Sequence, residues 1–143
     1  MSEVSLKVIS SKEDISKIQE MLKKEPDGNN LNPFGVHDSL VDGGGHVGLS
    51  INAGENLVGH AICYGSQADD GSMLEISKLY IFNEHRRFGY GASAVTQILA
   101  LAEADGIDTV FVEPLDDNAH KFWESTELEF NKAINRFEYE IPS

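Results

Sequence analysis

The octapeptide His85-Arg86-Arg87-Phe88-Gly89-Tyr90-Gly91-Ala92 decides how this chain is read. It joins a strand-like run, Met73 to Ile81, to the best helix signal in the sequence, Gly91 to Ala104, where Ala94, Ile98 and Ala102 repeat at four residues beside Val95 and Leu99. Glycines at 89 and 91 permit backbone angles and close approaches that a side chain forbids, so successive N–H groups can converge on one anion. The helix N-terminus behind them adds unpaired donors and the positive end of its dipole. Two arginines ahead of them supply forked, charged donors. An isolated Gly-x-Gly is most simply a turn with solvated arginines. Strand, arginine pair, glycines and helix in one register point instead to a phosphate.

Working outward, Ser5 to Ile9 alternates as a first strand, and Ser11-Lys12-Glu13-Asp14 fits a helix-start box ahead of Ile15, Ile18 and Leu22 on one face. Residues 26–32 are rich in turn formers, a short weak helix is expected around Phe34 to Leu40, and Gly43-Gly44-Gly45 ends it. His46 to Ile51 and Leu57 to Tyr64 alternate as two strands around a turn at 52–56, and the tract 65–71 reads as another turn. After the central helix, which Gly106 is placed to stop, Thr109 to Val112 suits a buried strand. Asp116 or Asp117 can cap a helix presenting Ala119, Phe122, Trp123 and Thr126, and Ala133 to Ile141 alternates as a last strand. Three consecutive strands imply an antiparallel meander, and the strand–helix–strand unit over 73–112 implies one parallel crossover. The class is mixed α/β (α+β), with helices on both faces of one sheet.

Composition narrows the function. The 143 residues fit one domain, over 1–143, with 41% apolar and 24% charged residues. No apolar run reaches a membrane span, the N-terminus has no signal-peptide core, and the single cysteine, Cys63, allows neither an intrachain disulfide nor a cysteine-based zinc site. A cytoplasmic address with no membrane partner is the expectation. The 11 basic against 24 acidic residues give a formal charge of −13, which repels phosphate backbones and argues against nucleic acid as a partner. No Lys or Arg occurs between Lys24 and Lys78, whereas Lys78, Arg86 and Arg87 gather beside His85. One small cationic spot thus sits on an anionic molecule.

Two familiar phosphate loops compete for the octapeptide. Gly89-Tyr90-Gly91-Ala92-Ser93-Ala94 satisfies the Gly-x-Gly-x-x-Ala form of a dinucleotide fingerprint, with Glu113 roughly where its ribose acid belongs. That fingerprint usually opens a parallel array, however, and here antiparallel-looking strands precede it. A P-loop is excluded because no Lys-Ser or Lys-Thr follows the glycines.

The chain resembles the GCN5-related N-acetyltransferase (GNAT) superfamily. Arg86-Arg87-Phe88-Gly89-Tyr90-Gly91 meets its (Gln/Arg)-x-x-Gly-x-(Gly/Ala) signature. Leu74 to Ile81 is similar to the strand before that signature, Leu57-Val58-Gly59-His60-Ala61 to its common third strand, and Ala119-His120-Lys121-Phe122-Trp123 with Phe130 to its C-terminal elements. The resemblance implies a single, mostly antiparallel sheet of about six or seven strands. It implies acetyl-CoA as co-substrate, with pyrophosphate on the loop from Arg86, Arg87, Phe88, Gly89, Tyr90 and Gly91 to Ala92, and pantetheine along Leu79, Tyr80 and Ile81 near a splay against 109–112. Asn118 and Trp123 fall where further contacts to the cofactor are expected. A primary amine would attack the thioester directly, so the protein must deprotonate the amine and assist the leaving thiolate.

Glu75 matches the glutamate that many members carry on this strand and is the candidate general base; strict alternation puts it on the face of Leu79 and Ile81. His60, His85 and Cys63 are lesser candidates, Cys63 reading best as a packed thiol. The sequence departs from the family at Trp123, where many members have a tyrosine able to protonate the CoA sulfur and indole is not, and at Asp116, where asparagine is usual. Tyr64, Tyr80 or water could donate in its place. Acids without Lys or Arg over 25–45, the acceptor side in this family, imply a cationic acceptor: a protein lysine or N-terminus, a polyamine or an amino sugar. The alternative is a GNAT-fold protein that holds acetyl-CoA, or only the fold, and modulates a protein partner. Edge pairing of the final strand would allow a homodimer.

Overall fold

The computed structural model describes residues 3–26, 45–69 and 71–142. The elements among them are β1 (Ser5–Val8), α1 (Lys12–Lys23), β2 (His46–Ala53), β3 (Asn56–Ala68), β4 (Gly71–Ile81), a single 3-10 turn (Asn83–His85), α2 (Tyr90–Ala104), β5 (Thr109–Val112), α3 (Asp117–Glu124), β6 (Glu129–Asn131) and β7 (Arg136–Glu140). The short helix expected at 34–40 and its first two stop glycines, Gly43 and Gly44, lie outside the described residues.

The strands form one sheet in the order β1-β2-β3-β4-β5-β7-β6, antiparallel throughout except for the parallel pair β4/β5 that flanks the α2 crossover. This is the mixed, mostly antiparallel architecture expected from the strand order. Helices cover both faces. Ile15, Ile18 and Leu22 of α1 pack with Ile9, Ile62 and Phe82 on one side. Ala94, Val95, Ile98, Leu99 and Ala102 of α2 and Trp123 of α3 enter a larger cluster with Ala61, Cys63, Ile76, Val110 and Phe137 on the other. The caps follow the sequence: Ser11 accepts from the Asp14 N–H at 3.2 Å, and Asp116 from the Ala119 N–H at 2.8 Å.

Two differences from expectation have physical causes. The tract 65–71 is mostly strand, because Gly65, Ser66 and Gln67 continue the ladder opposite Leu74, Met73 and Ser72; cross-strand pairing overrides their turn-forming character at this exposed end. More important for the site, β4 carries a bulge. Ile76 pairs with Cys63 but Lys78 with Ile62, leaving Ser77 as an extra residue. Alternation restarts there, so Leu74, Ile76, Leu79 and Ile81 share the larger-cluster face, while Glu75, Lys78 and Tyr80 point to the α1 face.

Candidate active site

The octapeptide forms the connection from β4 to α2. Gly89 caps the helix in the left-handed region at φ 81°, which glycine adopts without steric cost, and Arg87 enters the same region at φ 70°. The first in-helix bond of α2 runs from the Ser93 N–H to the Gly89 carbonyl at 3.1 Å, so helix geometry leaves the Tyr90, Gly91 and Ala92 N–H groups without an intrahelical acceptor. Gly91 also allows α2 to approach α3: a Cβ there would stand 3.0 Å from Phe122 Cε1. Arg86 is folded over the site, its guanidinium carbon 5.0 Å from the Tyr80 ring centroid and its Nε donating to the Ile81 carbonyl at 2.9 Å. His85 stands 3.5 Å from Glu84.

These groups line a cleft of about 460 Å³ walled by Leu79, Tyr80, Ile81, Arg86, Arg87 and Gly89 to Ala92, with Phe122 and Ser125 of the α3 side opposite. Beside it, sharing Leu79, Tyr80 and Phe122, lies a second hollow of about 230 Å³ that reaches Ile76, Ser77, Lys78, Val112, Glu113 and Trp123. The two follow from strand lengths. β4 and β5 pair only at Met73, Leu74 and Glu75. Beyond Glu75 they part, so the edge of β4 from Ile76 to Ile81 faces a cleft instead of a neighbouring strand.

The structure brings Leu79, Tyr80, Ile81, Arg86, Arg87, Gly89, Tyr90, Gly91 and Ala92 to one cleft and Trp123 to its continuation. It does not bring Phe88, which is 55% exposed and stacks on Tyr90 at 5.6 Å, nor Asn118, which lies exposed on α3 and outside both hollows. Glu75 is not on the face of Leu79 and Ile81, because the bulge at Ser77 rephases the strand. Its cross-strand neighbours are Tyr64 and Phe111, and Ser77 Oγ lies 3.5 Å from its Oε1.

His60 is buried at 1% exposure, and that burial, reinforced by the positive Lys78, lowers its pKa to about 4, so the imidazole is neutral near pH 7. Burial likewise pushes the Cys63 thiol up to about 12, which fits a packed, unreactive side chain. Trp123 is 5% exposed with its ring edge-on to Phe122 at 5.0 Å. Ser125, Ser77 and Glu25 were not singled out from sequence. Glu25 accepts from the Tyr80 hydroxyl and the Asn83 N–H, each at 2.7 Å.

Comparison with known proteins agrees with this geometry. Among solved structures, a GNAT-family protein from Desulfovibrio desulfuricans superposes with a TM-score of 0.75 at 12% identity, covering 97% of this chain and 99% of that one. AtaTR bound with acetyl-CoA gives 0.69 at 17% identity, over 99% and 95% of the two chains. AtaT complexed with acetyl-methionyl-tRNAfMet gives 0.67 at 16%, over 96% and 95%. No curated protein matches the sequence. At these identities the structures speak for the fold. The sequence itself, over residues 15–127, matches the Acetyltransferase (GNAT) family, a span that holds the glycine loop, both hollows and the parting strands, and the chain belongs to that family.

Proposed function

We propose that the protein transfers acetyl from acetyl-CoA directly to a primary amine of a cationic acceptor, its 143 residues acting as one GNAT domain. The observation that carries this reading is the glycine-capped N-terminus of α2 opening on a cleft that runs into the gap between β4 and β5. The residues present fit the cofactor. Unsatisfied helix N–H groups and two arginines suit its phosphates, and an unpaired strand edge with apolar Leu79, Ile81 and Phe122 suits an amide-bearing arm. Acetyl-CoA, when bound, supplies the activated thioester.

The chain's own work is then to bind, orient and move protons. N–H groups from Arg87 to Ala92 and the Arg86 guanidinium hold the pyrophosphate, and the β4 edge at Leu79 to Ile81 aligns the arm. Trp123 and Phe122 form an apolar wall that keeps water from the reacting carbonyl. Glu75, on the α1 face beside Tyr64 and Phe111, would take the proton of the incoming ammonium. Trp123 offers no phenolic proton and the Tyr80 hydroxyl already donates to Glu25 at 2.7 Å, so water serves the thiolate. AtaT is solved with acetyl-methionyl-tRNAfMet. The −13 charge of this chain opposes a polyanion and favours a lysine side chain, polyamine or amino sugar.

Isothermal titration with acetyl-CoA is the test, followed by release of free thiol in the presence of cationic amines. Micromolar binding that Arg86→Ala weakens, with thiol release, supports the reading. Absence of binding at millimolar acetyl-CoA refutes it, and binding without turnover on any amine leaves the alternative, a binding protein that modulates a partner, which Trp123 at the tyrosine position favours.

A further inference from the structure

We propose that Glu25 is a positioning residue for the anion-binding loop, acting through Tyr80 and Asn83 on Arg86; this rests on the reading of that loop as the acetyl-CoA site. Glu25 lies just beyond the C-terminus of α1, half-buried, with its N–H on the Leu22 carbonyl at 3.0 Å. A single carboxylate oxygen accepts both the Tyr80 hydroxyl and the Asn83 N–H at 2.7 Å. These donors bracket the end of β4. Tyr80 belongs to the cleft wall, and Asn83 begins the 3-10 turn that leads into the glycine loop.

Arg86 closes the circuit. Its guanidinium lies over the Tyr80 ring at 5.0 Å, its Nε donates to the Ile81 carbonyl at 2.9 Å, and Nη1 is 3.5 Å from Asn83 Oδ1. The arginine therefore rests on the two residues that Glu25 holds and on the backbone between them. An arginine on an otherwise solvent-exposed loop samples many rotamers, and ordering it at the moment of binding opposes binding. Fixing the Tyr80 ring and the start of the turn meets part of that cost beforehand. Charge-assisted bonds to a carboxylate are the stronger kind, which suits them to this task. The helix itself is anchored separately, by Ile15, Ile18 and Leu22 against Ile9, Ile62 and Phe82, so losing the carboxylate leaves its packing in place.

The test compares acetyl-CoA dissociation constants, by isothermal titration of the full chain, for wild type, Glu25→Ala, Glu25→Gln, Arg86→Ala and the double variant Glu25→Ala/Arg86→Ala. Each is measured well below its own melting temperature. Glu25→Ala is expected to weaken binding about tenfold, the size of one lost preorganised contact. Glu25→Gln, whose amide oxygen accepts the same two bonds, should stay within about threefold of wild type. In the Arg86→Ala background, Glu25→Ala should weaken binding by less than about twofold more, because the two residues act as a unit. Wild-type affinity in Glu25→Ala, a Gln variant as weak as Ala, or losses that multiply in the double variant would each overturn the positioning role. A wild-type chain that does not bind acetyl-CoA overturns the cofactor reading, and this inference with it.

Discussion

Two glycines on the same strand should respond in opposite ways to the same added methyl group. Gly59 on β3 faces Ile81 across the ladder, and a Cβ built there would meet the Tyr80 carbonyl oxygen at 2.2 Å and Ile81 Cα at 3.1 Å. The first distance falls about 1 Å short of ordinary van der Waals contact, and the obstacle is backbone, which cannot rotate away. β3 and β4 must separate at the point where the Phe82 N–H donates to the Val58 carbonyl at 2.9 Å, next to the cleft wall. Overpacking with loss of ladder bonds costs about 2 to 4 kcal/mol, or roughly 5 to 15 °C in melting temperature for a chain of this size. Gly65, further along β3, has nothing within 4 Å of its Cβ position and an ordinary φ. There alanine only narrows the unfolded ensemble, and stability should hold or rise by up to about 1 kcal/mol. Thermal melts and urea titrations of Gly59→Ala and Gly65→Ala measure both. Equal melting temperatures in the two variants would refute the close approach of β3 to the Tyr80 carbonyl. Because Tyr80 and Ile81 wall the cleft, Gly59→Ala should also weaken acetyl-CoA binding, whereas Gly65→Ala should not.

Other consequences are equally open to measurement. Glu75→Gln should cut the turnover rate with a cationic amine by about a hundredfold or more while leaving acetyl-CoA affinity unchanged, and wild-type turnover would remove Glu75 from the base role. His60 is held to about pKa 4 against an ordinary 6.5, so on acidification the unfolded chain takes up the proton first. Stability therefore declines as pH falls from 6.5 towards 4, by about 3 kcal/mol from this one group, and then levels. Urea unfolding of wild type and His60→Gln across that window should give a flatter profile for the variant, and identical slopes would contradict the burial argument. Cys63, 2% exposed and with its thiol pushed up to about 12, should resist a thiol reagent at pH 8 until the protein unfolds; rapid stoichiometric labelling of the native protein would show otherwise. The same protection means that thiol-release assays read coenzyme alone.

Local chemistry was legible in the sequence and long-range geometry was not. The glycine loop, the helix caps at Ser11 and Asp116 and the α2 face depend on residues within a few positions of each other, the parallel crossover follows from the order strand–helix–strand, and the structure has each of them. The face of Glu75 was misread because strict alternation was assumed through β4. A trace of the bulge was present, since the apolar positions 74, 76, 79 and 81 step by two, three and two, but neither glycine nor proline marks the irregularity. Glu25 carried no signal at all. Its partners stand 55 and 58 residues away, and only the docking of α1 against the sheet brings them within reach. Asn118 illustrates the converse: a position matched to a motif in sequence stands exposed on α3, outside both hollows.

The extra residue at Ser77 divides β4 into two separately addressed halves. Upstream of it, changing an odd-numbered residue such as Met73 or Glu75 alters the α1 face of the sheet, and downstream of it, changing Leu79 or Ile81 alters the opposite face and the cleft. Variants recombined at this position would therefore exchange one half of the strand, with its own assignment of odd and even residues to the two faces, while leaving the other half as it was. Removing one residue near Ser77 would cancel that independence, turning the Glu75 carboxylate towards the larger apolar cluster and Leu74 and Ile76 out of it.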